Sequence, residues 1–181
     1  RLVYGGAYAH FLAFDERIET YITGYADNAV VEYTKLLERG ELPPRFFNSK
    51  DLPDPDVCNI NTDWTDPSYC LLPNEALPIE FARGCIFKCK FCNYPLIGKR
   101  KGTYTRPVQQ VLDQMLGAYN TTGCERFYFT DDTFNDDQDR LRELHDAFKT
   151  LPFKPKFSCF LRLDLIERFP DTANLLVDMG L

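Results

Sequence analysis

The chain has no apolar run approaching the ~20 residues needed to cross a bilayer, and its first residues lack the basic-then-apolar pattern of a secretory signal. Both absences point to a soluble, cytoplasmic protein. An excess of positive charge is missing too: 21 Lys and Arg stand against 27 Asp and Glu, for a net charge of −6. That balance argues against broad, salt-sensitive nucleic-acid binding. The basic knot Lys99-Arg100-Lys101 is expected to be solvated surface. Histidine is scarce, with two in 181 residues. His10 falls in no ligand motif and His145 lies on an apolar helical stripe, so both read as structural or surface side chains. Apolar residues, by contrast, make up 44% of the chain and aromatics 14%, enough for a real core. Seven cysteines are an odd number, and a chain of this length does not need disulfide staples.

Three of those cysteines fall in Arg83-Gly84-Cys85-Ile86-Phe87-Lys88-Cys89-Lys90-Phe91-Cys92, a C-x3-C-x2-C spacing directly after a strand-like stretch. Three thiolates so close together can hold three irons of a cubane cluster and leave the fourth iron open to a small molecule. A structural zinc site normally takes four ligands as two separated pairs, and here no second pair and no nearby His follows. A ferredoxin-type cluster also needs a fourth Cys, and the next in the chain is the distant Cys124. The competing function class is a non-catalytic iron-sulfur or zinc-binding module that uses the same thiolates structurally.

The motif, with Arg83-Gly84 before the first Cys and Phe91 before the last, resembles the cluster loop of the radical S-adenosylmethionine (SAM) enzymes. The resemblance implies a [4Fe-4S] cluster on Cys85, Cys89 and Cys92. It also implies SAM chelated to the open iron and cleaved reductively to a 5′-deoxyadenosyl radical. A small-molecule or peptide substrate follows from it, as does an electron donor such as flavodoxin or ferredoxin.

Along the chain, Leu2 to Gly6 reads as a strand entering a glycine turn and Ile18 to Thr23 as a second strand. Ala29, Val30, Tyr33, Leu36 and Leu37 then line one helical face that ends at Gly40. Residues 1–40 resemble the tail of the cobalamin-binding Rossmann-like domain that precedes many radical SAM domains. The stretch that carries a cobalt-ligating His is absent, so cobalamin is not assigned to these residues. From 41 to 77 the repeated prolines, with many Asp and Asn, leave little room for regular structure. Cys58, Trp64 and Cys70 are expected to pack under that linker.

From Pro78 strand and helix alternate. The expected strands are Ile79 to Ala82, Arg126 to Thr130 and Phe157 to Leu163. Three amphipathic helices are expected, carrying Val108 to Tyr119, Leu141 to Leu151, and Leu175 to Met179 with Gly180 closing the last. Successive βα units imply parallel strands and right-handed crossovers. The fold class is therefore α/β, the first half of a βα barrel over 78–181, with its reactive centre at the carboxyl ends of the strands. Alternation places Ser158, Phe160 and Arg162 on one face of the third strand.

Tyr128-Phe129-Thr130-Asp131-Asp132-Thr133-Phe134 and Leu161-Arg162-Leu163-Asp164-Leu165-Ile166 look like the second and third strand segments of the radical SAM subgroup that pairs with cobalamin-type domains. The resemblance implies adenine contact for Phe91, proximity of Thr130 and Asp131 to the SAM amino group, and Arg162 or Ser158 as partners of its carboxylate. For Asp131 and Asp132, helix capping or turn formation is the alternative role. A family barrel has about six βα units, so the chain is expected to be a piece of a longer protein. Methyl or methylthio transfer, cyclisation and rearrangement all begin alike in this family and stay open.

Overall fold

The computed structural model describes residues 2–5, 15–53, 56, 62, 64, 75–92 and 105–181. The expectations for His10, Cys58, Cys70 and Lys99-Arg100-Lys101 lie outside these residues. The chain divides into two compact units, Arg1–Asp56 with Lys88–Gly98, and Val57–Phe87 with Lys99–Leu181.

In the first unit, β1 (Val3–Gly5), β2 (Thr20–Thr23) and β3 (Phe46–Asn48) form a parallel sheet in that order, with helix α1 (Ala26–Glu38) between β2 and β3. Tyr21 and Ile22 are buried in the central strand, and α1 turns Ala29 and Tyr33 inward. Val30, expected on the apolar face, is instead exposed. Strand β3 lies where proline-rich sequence gives no expectation of regular structure. Its three residues pair with β2, Tyr21 opposite Phe46 with their rings stacked at 5.7 Å, and its two phenylalanines suit a strand between the prolines.

In the second unit, β4 (Leu77–Ile79), β5 (Arg126–Phe129) and β6 (Lys156–Ser158) form a second parallel sheet in sequence order. Helix α2 (Val108–Thr122) leads into β5 and α3 (Gln138–Phe148) into β6, while α4 (Leu163–Arg168) and α5 (Asp171–Met179) follow β6. These are the parallel βα units expected of a partial barrel. Alternation sorts the sheet's two faces. Leu77, Ile79, Phe127, Phe129 and Phe157 are buried with Val111 and Met115 of α2, Leu141 and Leu144 of α3, and Leu176 and Met179 of α5. Phe129 is the hub, with ring contacts to Phe134 at 4.7 Å and to Phe157 at 5.4 Å, the latter edge-on. Trp64 packs against this core, as its sequence context suggests.

Helix ends follow their local chemistry. Asp137 caps α3 by accepting from the amides of Asp139 and Arg140, so the cap is neither Asp131 nor Asp132. Gly180 closes α5 with φ of +108°, where a Cβ would collide with the Pro155 carbonyl oxygen. Its own carbonyl accepts from Phe157 N–H at 3.1 Å. Only glycine suits a backbone held there.

Two strand expectations are corrected. The first strand ends at Ile79 rather than Ala82, because the Phe81 and Ala82 amides are taken by a side chain instead of a neighbouring strand. The third strand ends at Ser158 rather than Leu163, since residues 159–162 leave the sheet and Leu163 already begins α4. Alternation therefore does not carry to Phe160 and Arg162. Among the described residues no helix is long and apolar enough to cross a membrane.

Candidate functional site

Sequence places the chemistry at the carboxyl ends of β4, β5 and β6, and in the second unit those ends are tied together by side chains from one loop, residues 130–135. Thr130 N–H donates to the Ile79 carbonyl at 2.9 Å, continuing the β4–β5 pairing by one residue. Asp131, 1% exposed, then reaches back to β4, accepting from Phe81 N–H on one oxygen and from Ala82 N–H on the other, both at 2.8 Å. A buried carboxylate is costly unless its lone pairs are met, and two amides meet them here. The role visible for Asp131 is thus to fix the exit of β4, three residues before Cys85.

That exit is braced from its other side. Arg106, 4% exposed, donates through one nitrogen to the Glu80 carbonyl at 2.9 Å and to Gln114 of α2 at 2.8 Å. This explains why a polar Gln is buried in α2. Arg83 forms a two-pronged pair with Glu80, at 2.6 and 2.8 Å. Gly84 follows at φ of +78°, a turn at which a side chain is strained, and delivers Cys85.

Cys85 Sγ lies 3.2 Å from the hydroxyl of buried Thr133. Next in the loop, Phe134 N–H donates to the Phe160 carbonyl, and fully buried Asn135 brackets the Arg162 backbone, donating to its carbonyl and accepting from its N–H, each at 2.9 Å. One loop therefore positions both the β4 exit and the segment after β6. Thr133 and Asn135 were not singled out by sequence reasoning; their signal is a run of short polar residues directly after a buried strand.

Arg162 stacks on the Phe87 ring at 3.9 Å and pairs with Asp164 through two nitrogens, at 3.0 and 2.8 Å. This bonding holds the Asp164 carboxyl below its usual range. Ser158 is exposed, in register beside Tyr128, which stands opposite Pro78, on the face turned away from the helix-packed core. Thr130 is exposed at the strand end. In the other unit, Cys92 N–H donates to the Cys89 carbonyl at 3.0 Å in a tight turn, and Phe91 within that turn is 90% exposed.

Two cysteines are set apart from the motif. Cys124 lies at the amino end of β5, its thiol 3.1 Å from the Arg126 carbonyl, whereas Cys85 follows the carboxyl end of β4. Burial, with the negative charge of Asp131, pushes the Cys159 thiol up to about 12, so it stays protonated. His145 is half-buried and bonded to Asp178 at 2.7 Å, the satisfied structural role its stripe implies.

Among the described residues no three His, Cys, Asp or Glu side chains converge as a metal-holding group. The donor set of the motif nonetheless has the chemistry an iron-sulfur cluster requires. Cys85, Cys89 and Cys92 are thiols outside any disulfide, soft ligands suited to iron-sulfur sites, and Cys85 carries a hydroxyl contact able to donate to a thiolate.

Residues 79–181 match the model of the Radical SAM superfamily. The chain is 35% identical over 86 residues to cytidylyl-2-hydroxyethylphosphonate methyltransferase of Streptomyces wedmorensis. That stretch is 46% of this chain and 16% of the relative's length. A family match spanning the cysteine motif, strands β5 and β6 and the bracing loop between them leads to one conclusion: this chain belongs to the radical SAM superfamily.

Proposed function

We propose that the chain is the cluster-bearing part of a radical SAM enzyme in which Cys85, Cys89 and Cys92 hold a [4Fe-4S] cluster and SAM binds the open iron. The observation that carries this reading is the family match over 79–181, which contains the whole C-x3-C-x2-C motif. When bound, the cluster supplies the electron for reductive cleavage of SAM. The protein's part is to place the thiols and the SAM contacts. Asp131, Arg106 and Gly84 set the entry of the loop, and Asn135 holds Arg162 where it stacks on Phe87. Thr130 and Ser158 are the exposed hydroxyls at the strand ends for the methionyl group of SAM, and Phe91 is the adenine contact. Asp131 acts through the backbone it clamps. Arg162 exchanges Asp164 for the SAM carboxylate, a trade of one bidentate carboxylate for another.

Of the reactions open to the family, methyl transfer to a small molecule is favoured by the methyltransferase relative. Residues 1–40, with β3 added to their sheet, are proposed as the tail of a Rossmann-like domain, the rest of 41–77 as a linker and 78–181 as the first half of the barrel, working in the cytoplasm with a flavodoxin- or ferredoxin-like electron donor. Anaerobic reconstitution tests the reading. A brown cluster whose reduced electron paramagnetic resonance spectrum changes on adding SAM is expected. A spectrum indifferent to saturating SAM, or a colourless zinc-loaded protein, would establish the structural module instead.

A further inference from the structure

Thr133 is 3% exposed, and its hydroxyl lies 3.2 Å from Cys85 Sγ. A buried hydroxyl needs a partner, and a threonine can donate one hydrogen bond as well as accept. A thiolate carries no hydrogen, so beside an ionised or metal-bound Cys85 the contact must run from the Thr133 hydroxyl to sulfur. Its place is built rather than accidental. Two residues before it, Asp131 is anchored to the Phe81 and Ala82 amides. On its other side, Phe134 is anchored to the Phe160 carbonyl and Asn135 to both polar backbone groups of Arg162. Anchored on both flanks, the backbone at Thr133 is held where its buried hydroxyl meets the Cys85 sulfur.

We infer that Thr133 is a positioning residue that donates a hydrogen bond to the Cys85 sulfur and thereby raises the reduction potential of the cluster; this rests on the cluster reading above. Taking up one electron from an external donor adds negative charge that spreads onto the cluster sulfurs. A donor aimed at one sulfur is therefore bonded more strongly in the reduced state. Such contacts beyond the direct ligands are known levers on metal centres.

The test is a redox titration of the SAM-free, anaerobically reconstituted holoenzyme, with dithionite as the one-electron donor and electron paramagnetic resonance as the readout. Thr133→Val keeps the shape and removes the donor. It should assemble a cluster whose reduction equilibrium constant is about tenfold less favourable, about 59 mV for a one-electron couple. Thr133→Ser keeps the hydroxyl and should titrate with the wild type. Where the valine variant assembles too little cluster, Thr133→Ala carries the same comparison. Equal potentials for the wild type and the hydroxyl-free variant would overturn the inference, as would a serine variant shifted as far as the valine one. If the wild type itself takes up no [4Fe-4S] cluster, the cluster reading has failed, and this inference with it; that outcome is recognisable because all variants then behave alike.

Discussion

The two ends of the β4–β6 sheet are built from similar residue types used in opposite ways. At the carboxyl ends, Asp131, Thr133 and Asn135 are each at most 3% exposed and spend their polar atoms on the backbone or thiol of neighbouring segments. At the amino ends and the helix surface nearby, polar pairing is solvated: His145 with Asp178, and Lys149 with Asp146, join side chains whose carboxylates are largely exposed. Surface pairs of that kind contribute little and rearrange cheaply, whereas a buried polar contact that loses its partner is costly. The difference marks which end must hold its geometry. It is the end that carries Cys85.

The sharpest break of this contrast is at the motif itself. Cys85→Ala, Cys89→Ala or Cys92→Ala should each abolish cluster assembly, measured as iron and sulfide per chain, because each removes one third of the proposed protein ligand set. Cys124→Ala, at the opposite end of the sheet, and Cys159→Ala should load iron like the wild type. Loss of iron in the Cys124 variant equal to that in the Cys89 variant would defeat the open-iron reading.

Next in size is Asp131→Ala. It strands two buried amides at about 1–3 kcal/mol each, so urea unfolding should show a loss of about 2–6 kcal/mol. Asp131→Asn, which retains an acceptor oxygen, should lose less. If the alanine variant is as stable as wild type, the carboxylate is not what fixes the β4 exit.

Arg162→Lys probes a group shared between structure and ligand. Lysine keeps the charge but loses the fork on Asp164 and the flat stack on Phe87. The variant should keep its cluster and bind SAM about tenfold more weakly, roughly 1.4 kcal/mol, read from the SAM dependence of the reduced spectrum. Unchanged affinity would confine Arg162 to holding Phe87 and Asp164.

The smallest effect is expected at the amino end. The hydrogen bond from His145 holds the Asp178 carboxyl below its ordinary 3.8. A carboxylate whose folded value is lowered stabilises the fold above its ordinary value and loses that contribution as pH falls through the lowered one. Asp178→Asn should therefore lower the unfolding midpoint slightly near neutrality, and the gap should close in acid below about 4. A gap that widens in acid would show the sign to be wrong.

The C-x3-C-x2-C spacing, the helical stripes of α2 and α3 and the parallel α/β class were all legible in the sequence, because thiolate spacing and apolar periodicity are local properties of the chain. His145 was legible as a satisfied residue for the same reason, since its neighbours on the stripe are core. The ends of β4 and β6 were not. Phe81 and Ala82 read as strand, but fifty residues later Asp131 supplies the partners that a neighbouring strand would have given. Likewise Arg162 reads as strand by alternation and is instead drawn out by Asn135 and by the start of α4. The sequence by itself determined which side chains can do chemistry here. Tertiary structure alone decided which of the polar ones are spent holding the backbone, because a buried hydrogen bond is set by what the fold brings within 3 Å rather than by what stands beside it in the chain.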